Sequence, residues 1–60
     1  MKLVIKIDLG NEEMQTPEHV RKALVRSKVM SGSESPYEDG DEGLIFDENG
    51  NSVGSWYVVD

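Results

Sequence analysis

The first part of the chain alternates between apolar and other residues with a period of two. Between Lys2 and Leu9, one side of an extended chain is wholly apolar, and the other carries two lysines and an aspartate. The apolar side consists of Leu3, Ile5, Ile7 and Leu9. Such alternation is typical of a half-buried strand. The sequence therefore predicts a first strand here, and a break at Gly10.

A helix is predicted from Pro17 to about Met30. Thr16 is a good N-cap, Pro17 suits the first helical position, and Gly32 is a plausible C′ residue. At helical spacing, one narrow stripe is apolar and can pack on a sheet: Val20, Ala23 and Leu24. The same spacing places Val25 and Val29 on the outer side, as a second candidate contact surface.

The C-terminal third predicts a β-hairpin. A short apolar strand, 44–46, precedes Asp47-Glu-Asn-Gly50, which fits a type I turn with a bulge at Gly50. This register places Ile45 opposite Val53, and it gathers Leu44 and Phe46 on the side of Trp56. A two-residue turn at 49–50 would instead pair Phe46 with Val53 and send Trp56 to the other face.

These elements predict an α+β fold in a single domain, residues 1–60. The order is β-α-β-β, and an antiparallel sheet with strand order 1-3-2 would carry the helix on one face. Residues from about 32 to 43 have loop composition and many carboxylates. Loops of this length in small domains are commonly functional or disordered.

Charge is divided unevenly along the chain. The net charge is −6, from twelve acidic and six basic residues. Residues 1–32 contain all six bases and four acids, whereas residues 33–60 contain eight acids and no base. This asymmetry is typical either of a protein with a basic partner or of one with a well-solvated acidic side. It argues against direct binding to nucleic acid, because phosphates require a basic footprint.

Composition gives no support to catalysis or to metal binding. The chain has no cysteine and one histidine, His19, so a disulfide framework and a thiolate metal site are excluded. The acidic segment from Asp39 fails the EF-hand pattern, because glycine occupies the fifth and twelfth positions. We expect no catalytic residue, metal or cofactor. No apolar run approaches the roughly 20 residues of a membrane span, so a cytoplasmic protein is expected.

The candidate binding residues lie on the sheet face that the helix cannot reach and in the acidic loop. One helix of this length covers only one face of a three-stranded sheet. The predicted register leaves an apolar set on the open face: Val4, Ile45, Val53, Tyr57 and Val59. The loop contributes the carboxylates Glu38, Asp39, Asp41 and Glu42. A contiguous exposed apolar patch is typical of a protein contact.

Two stretches of the chain resemble short phage- and prophage-encoded proteins of uncharacterised role. These are the start, Lys2-Leu-Val-Ile-Lys-Ile-Asp8, and the ending, Asp47-x-Asn49-Gly50-Asn51-x-Val53-Gly54-x-Trp56. The middle of the chain departs from that pattern in its short helix and its acidic loop. The resemblance implies an accessory phage gene product, and it provides no catalytic residue to assign.

The sequence thus predicts a non-enzymatic phage-type accessory protein that binds and occludes a host or phage protein. One alternative is an acidic mimic of nucleic acid that blocks a DNA- or RNA-binding enzyme. Another is a small structural protein of an assembly. A homodimer through the open face or an edge strand is also predicted, because a small domain gains burial by pairing.

Overall fold

The computed structural model describes residues 1–30 and 34–60. Its elements in chain order are β1 (Lys2–Ile7), a first 3-10 turn (Glu12–Met14), α1 (Pro17–Arg26), a second 3-10 turn (Lys28–Met30), β2 (Glu42–Phe46) and β3 (Ser52–Val59). The strands form one antiparallel sheet in the order β1-β3-β2. The predicted α+β class and strand order are therefore confirmed.

The hairpin turn forms where the sequence predicted it. The amide of Gly50 donates to the carbonyl oxygen of Asp47 at 3.1 Å, and Gly50 has a φ of 83°. The amide of Asp47 donates in turn to the carbonyl oxygen of Asn51 at 3.0 Å. This is the three-residue loop with a glycine in the left-handed conformation that matches the twist of the flanking strands.

A second bulge, at Val53, changes the register beyond the turn. Phe46 pairs with Ser52, as the predicted turn requires, but Ile45 pairs with Gly54 instead of Val53. Val53 is thus an extra residue in β3. A slip of one residue exchanges the faces of a strand, so the residues of β2, Phe46 included, lie on the faces opposite to those predicted.

The predicted assignment of Ile45 and Val53 to the open face is therefore wrong. Ile45 is 0% exposed and Val53 is 7% exposed, and both belong to the core. Leu44 and Phe46, predicted to lie with Trp56 beneath the helix, are instead 55% and 45% exposed. The bulge is the physical reason for both exchanges.

The helix starts as predicted but ends early. The hydroxyl oxygen of Thr16 accepts from the amide of His19 at 3.1 Å. At the other end, the backbone of Ser27 is extended, and its amide and hydroxyl both donate to the carbonyl oxygen of Leu24. The prediction of a helix to Met30 is wrong, because Ser27 satisfies one of the last four carbonyls of α1 and its extended backbone redirects the chain.

The second 3-10 turn returns the chain to the core. Val29, predicted on the outer side of the helix, is buried beside the sheet, so that prediction is wrong. Val25 is exposed, as the helical spacing indicated. Gly32, which was predicted to terminate the helix, lies outside the described residues.

Trp56 lies at the centre of the core, where it packs across a glycine of the neighbouring strand. A Cβ atom built on Gly43 would lie 2.6 Å from Trp56 Nε1, so only glycine leaves room for the indole. Tyr37 packs against the indole edge to face, with ring centroids 6.4 Å apart. The buried apolar residues are Met14, Ala23, Val29, Ile45, Val53, Trp56 and Val58.

Gly54 permits the close pairing of β1 and β3. It lies opposite Ile7, and a Cβ atom built there would overlap the backbone carbonyl oxygen of Lys6. Backbone cannot move aside as the end of a flexible side chain can. We therefore predict that Gly54→Ala costs about 3 kcal/mol or more in free energy of unfolding. That loss approaches the roughly 3–5 kcal/mol that one small core supplies, so the variant should be largely unfolded in urea titrations.

Gly40→Ala is the matched control for this prediction. Gly40 has open space around its Cα but a φ of 94°, so its added methyl group meets only the backbone cost of about 1–2 kcal/mol. A Gly54→Ala variant as stable as Gly40→Ala would show that the close approach of the strands does not limit stability.

Candidate protein-binding surface

The face of the sheet that points away from α1 is a mixed apolar and charged surface. The strand register places eight side chains there, and we call this set the open face: Lys2, Val4, Lys6, Glu42, Leu44, Ser55, Tyr57 and Val59. Of the five apolar residues predicted for this surface, the structure keeps Val4, Tyr57 and Val59 on it. No helix or strand covers the open face within the two described ranges.

Tyr57 is the centre of the open face. It lies on the middle strand, with Val4 opposite on one side and Glu42 opposite on the other. The ammonium group of Lys6 lies 5.9 Å from the centroid of the Tyr57 ring, within the range of a cation–π contact. The Tyr57 side chain is half-buried at the centre of this face. This position suits it to act as an anchor for a partner.

The exposed side of β2 adds apolar surface that sequence reasoning missed. Leu44 and Phe46 are the two most exposed large apolar side chains of β2 and β3. Only the bulge at Val53 turns Leu44 outward, and no pattern in 44–46 itself signals it. The nearest signal is the size match of Gly43 and Trp56, because pairing those two residues requires the shifted register.

The acidic loop is attached to the sheet by backbone hydrogen bonds. The amide of Gly40 donates to the carbonyl oxygen of Val58, and the amide of Val58 donates to that of Asp41. The carboxylate of Asp41 accepts from the amide of Glu38 at 2.9 Å. Asp41 is thus part of the turn, whereas Glu38 and Asp39 are exposed. The prediction that Glu42 belongs to the loop is wrong, because Glu42 pairs with Tyr57 as the exposed first residue of β2. The structure keeps the three exposed carboxylates free to meet a partner.

A groove between the end of α1 and β2 contains basic side chains. Arg26 and Lys28 line it together with Glu42, Leu44 and Phe46. Neither basic side chain forms an ion pair with any residue in the described part of the chain. Trp56 also lines this groove, and its buried Nε1 has no hydrogen-bond acceptor among the described residues.

Asp47 links the hairpin turn to the segment that precedes α1. Its side chain is only 3% exposed. The carboxylate accepts from the amides of Asn49 and Asn51, both at 2.9 Å, and from the side-chain amide of Asn11 at 2.7 Å. The amide of Asn51 lowers the pKa of the Asp47 carboxyl below its ordinary value, against the opposing effect of desolvation, and the other donors add to this lowering.

The described residues contain no arrangement that suggests metal chemistry or a membrane span. Across residues 1–30 and 34–60, no three side chains of the histidine, aspartate and glutamate types come together as metal ligands. In the same ranges, the helices are too short and too polar to traverse a bilayer. His19 accepts a hydrogen bond at Nδ1 from the amide of Gln15, so its imidazole links the first turn of α1 to the segment before the helix.

Comparison with known proteins identifies no relative. No protein-family model, curated protein or solved structure matches this chain.

The Asp47 network predicts a specific dependence of stability on pH. A carboxyl group whose folded-state pKa is lowered stabilises the fold above the unfolded-state pKa, about 3.9 for aspartate, and loses that contribution as pH falls through the lower folded-state pKa. Asp47→Asn should therefore lower the urea midpoint at pH 7. The difference from the parent protein should shrink only below about pH 4.

Glu48→Gln is the control, because Glu48 is an exposed acid in the same turn. It removes the same charge without touching the network, and we expect little change in the urea midpoint at either pH. Equal midpoints for Asp47→Asn and Glu48→Gln at pH 7 would contradict a stabilising role for the buried carboxylate.

Proposed function

We propose that this chain is a non-enzymatic binding module that docks on a protein through its open face. The observation that carries the proposal is the uncovered apolar surface around Tyr57, with Val4 beside it and Val59 further along the strand. A small domain that leaves a sheet face uncovered gains free energy when a partner buries it. We expect that partner to be a host or phage protein, as the resemblance of the two terminal stretches implies.

The arrangement of Tyr57 supports its role as the anchor of the contact. Aromatic side chains near the centre of a patch dominate binding energy, and surrounding groups mainly exclude water. Tyr57 is central on the middle strand, and Lys6 and Glu42 border it with charges of opposite sign.

The charge distribution supports a partner with a basic region beside an apolar patch. Glu38 and Asp39 extend from a turn that is hydrogen-bonded to β3, so their charges are presented at a fixed end of the sheet. Carboxylates at the rim of an interface speed association with a basic surface, and they contribute less to the lifetime of the complex. The bound module would then occlude whatever site that surface serves.

We predict that Tyr57→Ala shortens the lifetime of the complex at every salt concentration. Loss of a central aromatic anchor costs about 2 kcal/mol or more, which corresponds to roughly 30-fold faster dissociation. The partner is first captured from host-cell lysate on the immobilised parent protein, and dissociation is then followed by surface plasmon resonance. Tyr57→Phe keeps the ring and should bind nearly as the parent does. Val25→Ala, on the outer side of α1, should have no effect.

We predict a different signature for the acidic loop. Glu38→Gln with Asp39→Asn should slow association by up to about tenfold at low salt, and the difference should vanish near 1 M salt, where the Debye length is about 3 Å. Asp41 is retained because its carboxylate holds the turn. Two results together would overturn the docking proposal and favour the acidic mimic of nucleic acid. They are loss of binding at all salt concentrations in the variant with Glu38→Gln and Asp39→Asn, and unchanged binding of Tyr57→Ala.

A further inference from the structure

The two edges of the sheet differ in how they are protected. β1 is one edge strand, and its Lys2 and Lys6 side chains lie on the open face. Lysines on an edge strand discourage pairing with another chain. β2, the other edge, has the sequence Glu-Gly-Leu-Ile-Phe, with no lysine and no proline. No strand of the described residues pairs with its outer side. β2 is therefore the edge that is open to another strand.

We propose that two copies of this chain pair antiparallel through β2, around a two-fold axis at Leu44. In this arrangement Leu44 lies opposite Leu44 of the second copy, and Glu42 lies opposite Phe46. A two-fold contact is self-complementary, so each of these pairings except the central one occurs twice. The two sheets would join into one sheet of six strands.

Charge complementarity supports a second copy as the occupant of this edge. Arg26 lines the groove beside Phe46 and forms no ion pair with a described residue. The proposed pairing brings Glu42 of the second copy to the Phe46 end, and so to Arg26. The groove also contains Lys28 and the chain's own Glu42, so an incoming carboxylate meets two basic groups and one acid.

The exposed side chains of β2 support the same occupant. Leu44 and Phe46 are 55% and 45% exposed in the single chain. The two-fold pairing packs each of these side chains against one of the second copy, which removes apolar surface from water. A contact of one five-residue strand with its neighbour is small, at the low end of interface sizes, so we expect dimerisation in the micromolar range.

The dimer would place two open faces side by side. Strand order in the joined sheet would be β1-β3-β2-β2-β3-β1, with both copies of Tyr57 on the same side. This inference does not depend on the proposed function, because it rests on strand pairing at the β2 edge and not on Tyr57 as the anchor of a contact. If both hold, a partner of two-fold symmetry, or one with two repeated contacts, would gain from avidity.

Single-cysteine cross-linking tests the position of the axis, since the natural chain has no cysteine. Directly opposed residues have Cα atoms about 4.5–5.5 Å apart, which a disulfide can bridge. Leu44→Cys should therefore form a disulfide dimer under mild oxidation. Glu42→Cys alone and Phe46→Cys alone should not, because their own copies lie about 13 Å apart, four residues along the strand. A mixture of the last two variants should cross-link.

Each outcome of this experiment decides the proposal. Efficient dimers from Leu44→Cys and from the mixture, with little from Glu42→Cys or Phe46→Cys alone, support the two-fold pairing. Equal cross-linking of all three single variants would indicate random collision and overturn it. Cross-linking of none of them at concentrations up to hundreds of micromolar would overturn it as well.

Sedimentation equilibrium with charge variants provides an independent test. Leu44→Lys should weaken dimerisation by about tenfold or more, because it places two like charges at the axis. Val25→Lys is the matched control: Val25 is 49% exposed on α1, and its replacement should leave the dimer unchanged. Tyr57→Ala should also leave it unchanged, which separates failure of this inference from failure of the proposed function.

A charge exchange tests the contact of Arg26 with Glu42. Arg26→Glu should weaken dimerisation by a few fold, as expected for exposed ion pairs that occur twice in a symmetric dimer. Combining it with Glu42→Arg should restore the parent dimerisation constant. Failure of the double exchange to restore it, or a parent protein that stays monomeric at hundreds of micromolar, would overturn the proposed pairing.

Discussion

The single extra residue at Val53 determines which side chains of this small protein meet water. Without it, β2 would pair with β3 in the register that the turn imposes, and Ile45 would face solvent. With it, Ile45 enters the core, and Leu44 emerges on the opposite side. A bulge costs one unpaired residue, but it also increases twist and redirects side chains. The burial of Ile45 and the exposure of Leu44 on the edge strand both depend on this one displacement.

One short helix cannot cover both faces of the sheet, so apolar surface remains exposed on each face. α1 has ten residues and contacts β2. Leu3 and Ile5 therefore stay partly exposed even though β1 directs them to the helix side. A chain of this size buries only about 60% of the surface that its unfolded form exposes. Binding of any partner to the folded form would raise its apparent stability by mass action.

Most of the architecture could be predicted because it depends on local signals. The alternation in β1, the cap at Thr16 and the turn at Gly50 each act over a few residues, and each appears where expected. The end of α1 could not be predicted, because the chain turns at Ser27 to bury Val29, which is a tertiary effect. The candidate site was predicted in part: Tyr57 keeps its place, whereas Ile45 and Val53 do not, because a bulge has no strong sequence signature.

The residues at positions 43 and 56 share one space in the core. The indole occupies the space in which a side chain at position 43 would lie, although the backbone of Gly43 has no left-handed conformation that would demand glycine. The constraint is thus one of shape between two strands. Among functional variants of this chain, the two positions should exchange size with one another: a larger residue at 43 would be accepted only alongside a smaller one at 56. Correlated changes of residue size at positions 43 and 56 would therefore reveal the register of the sheet without a structure.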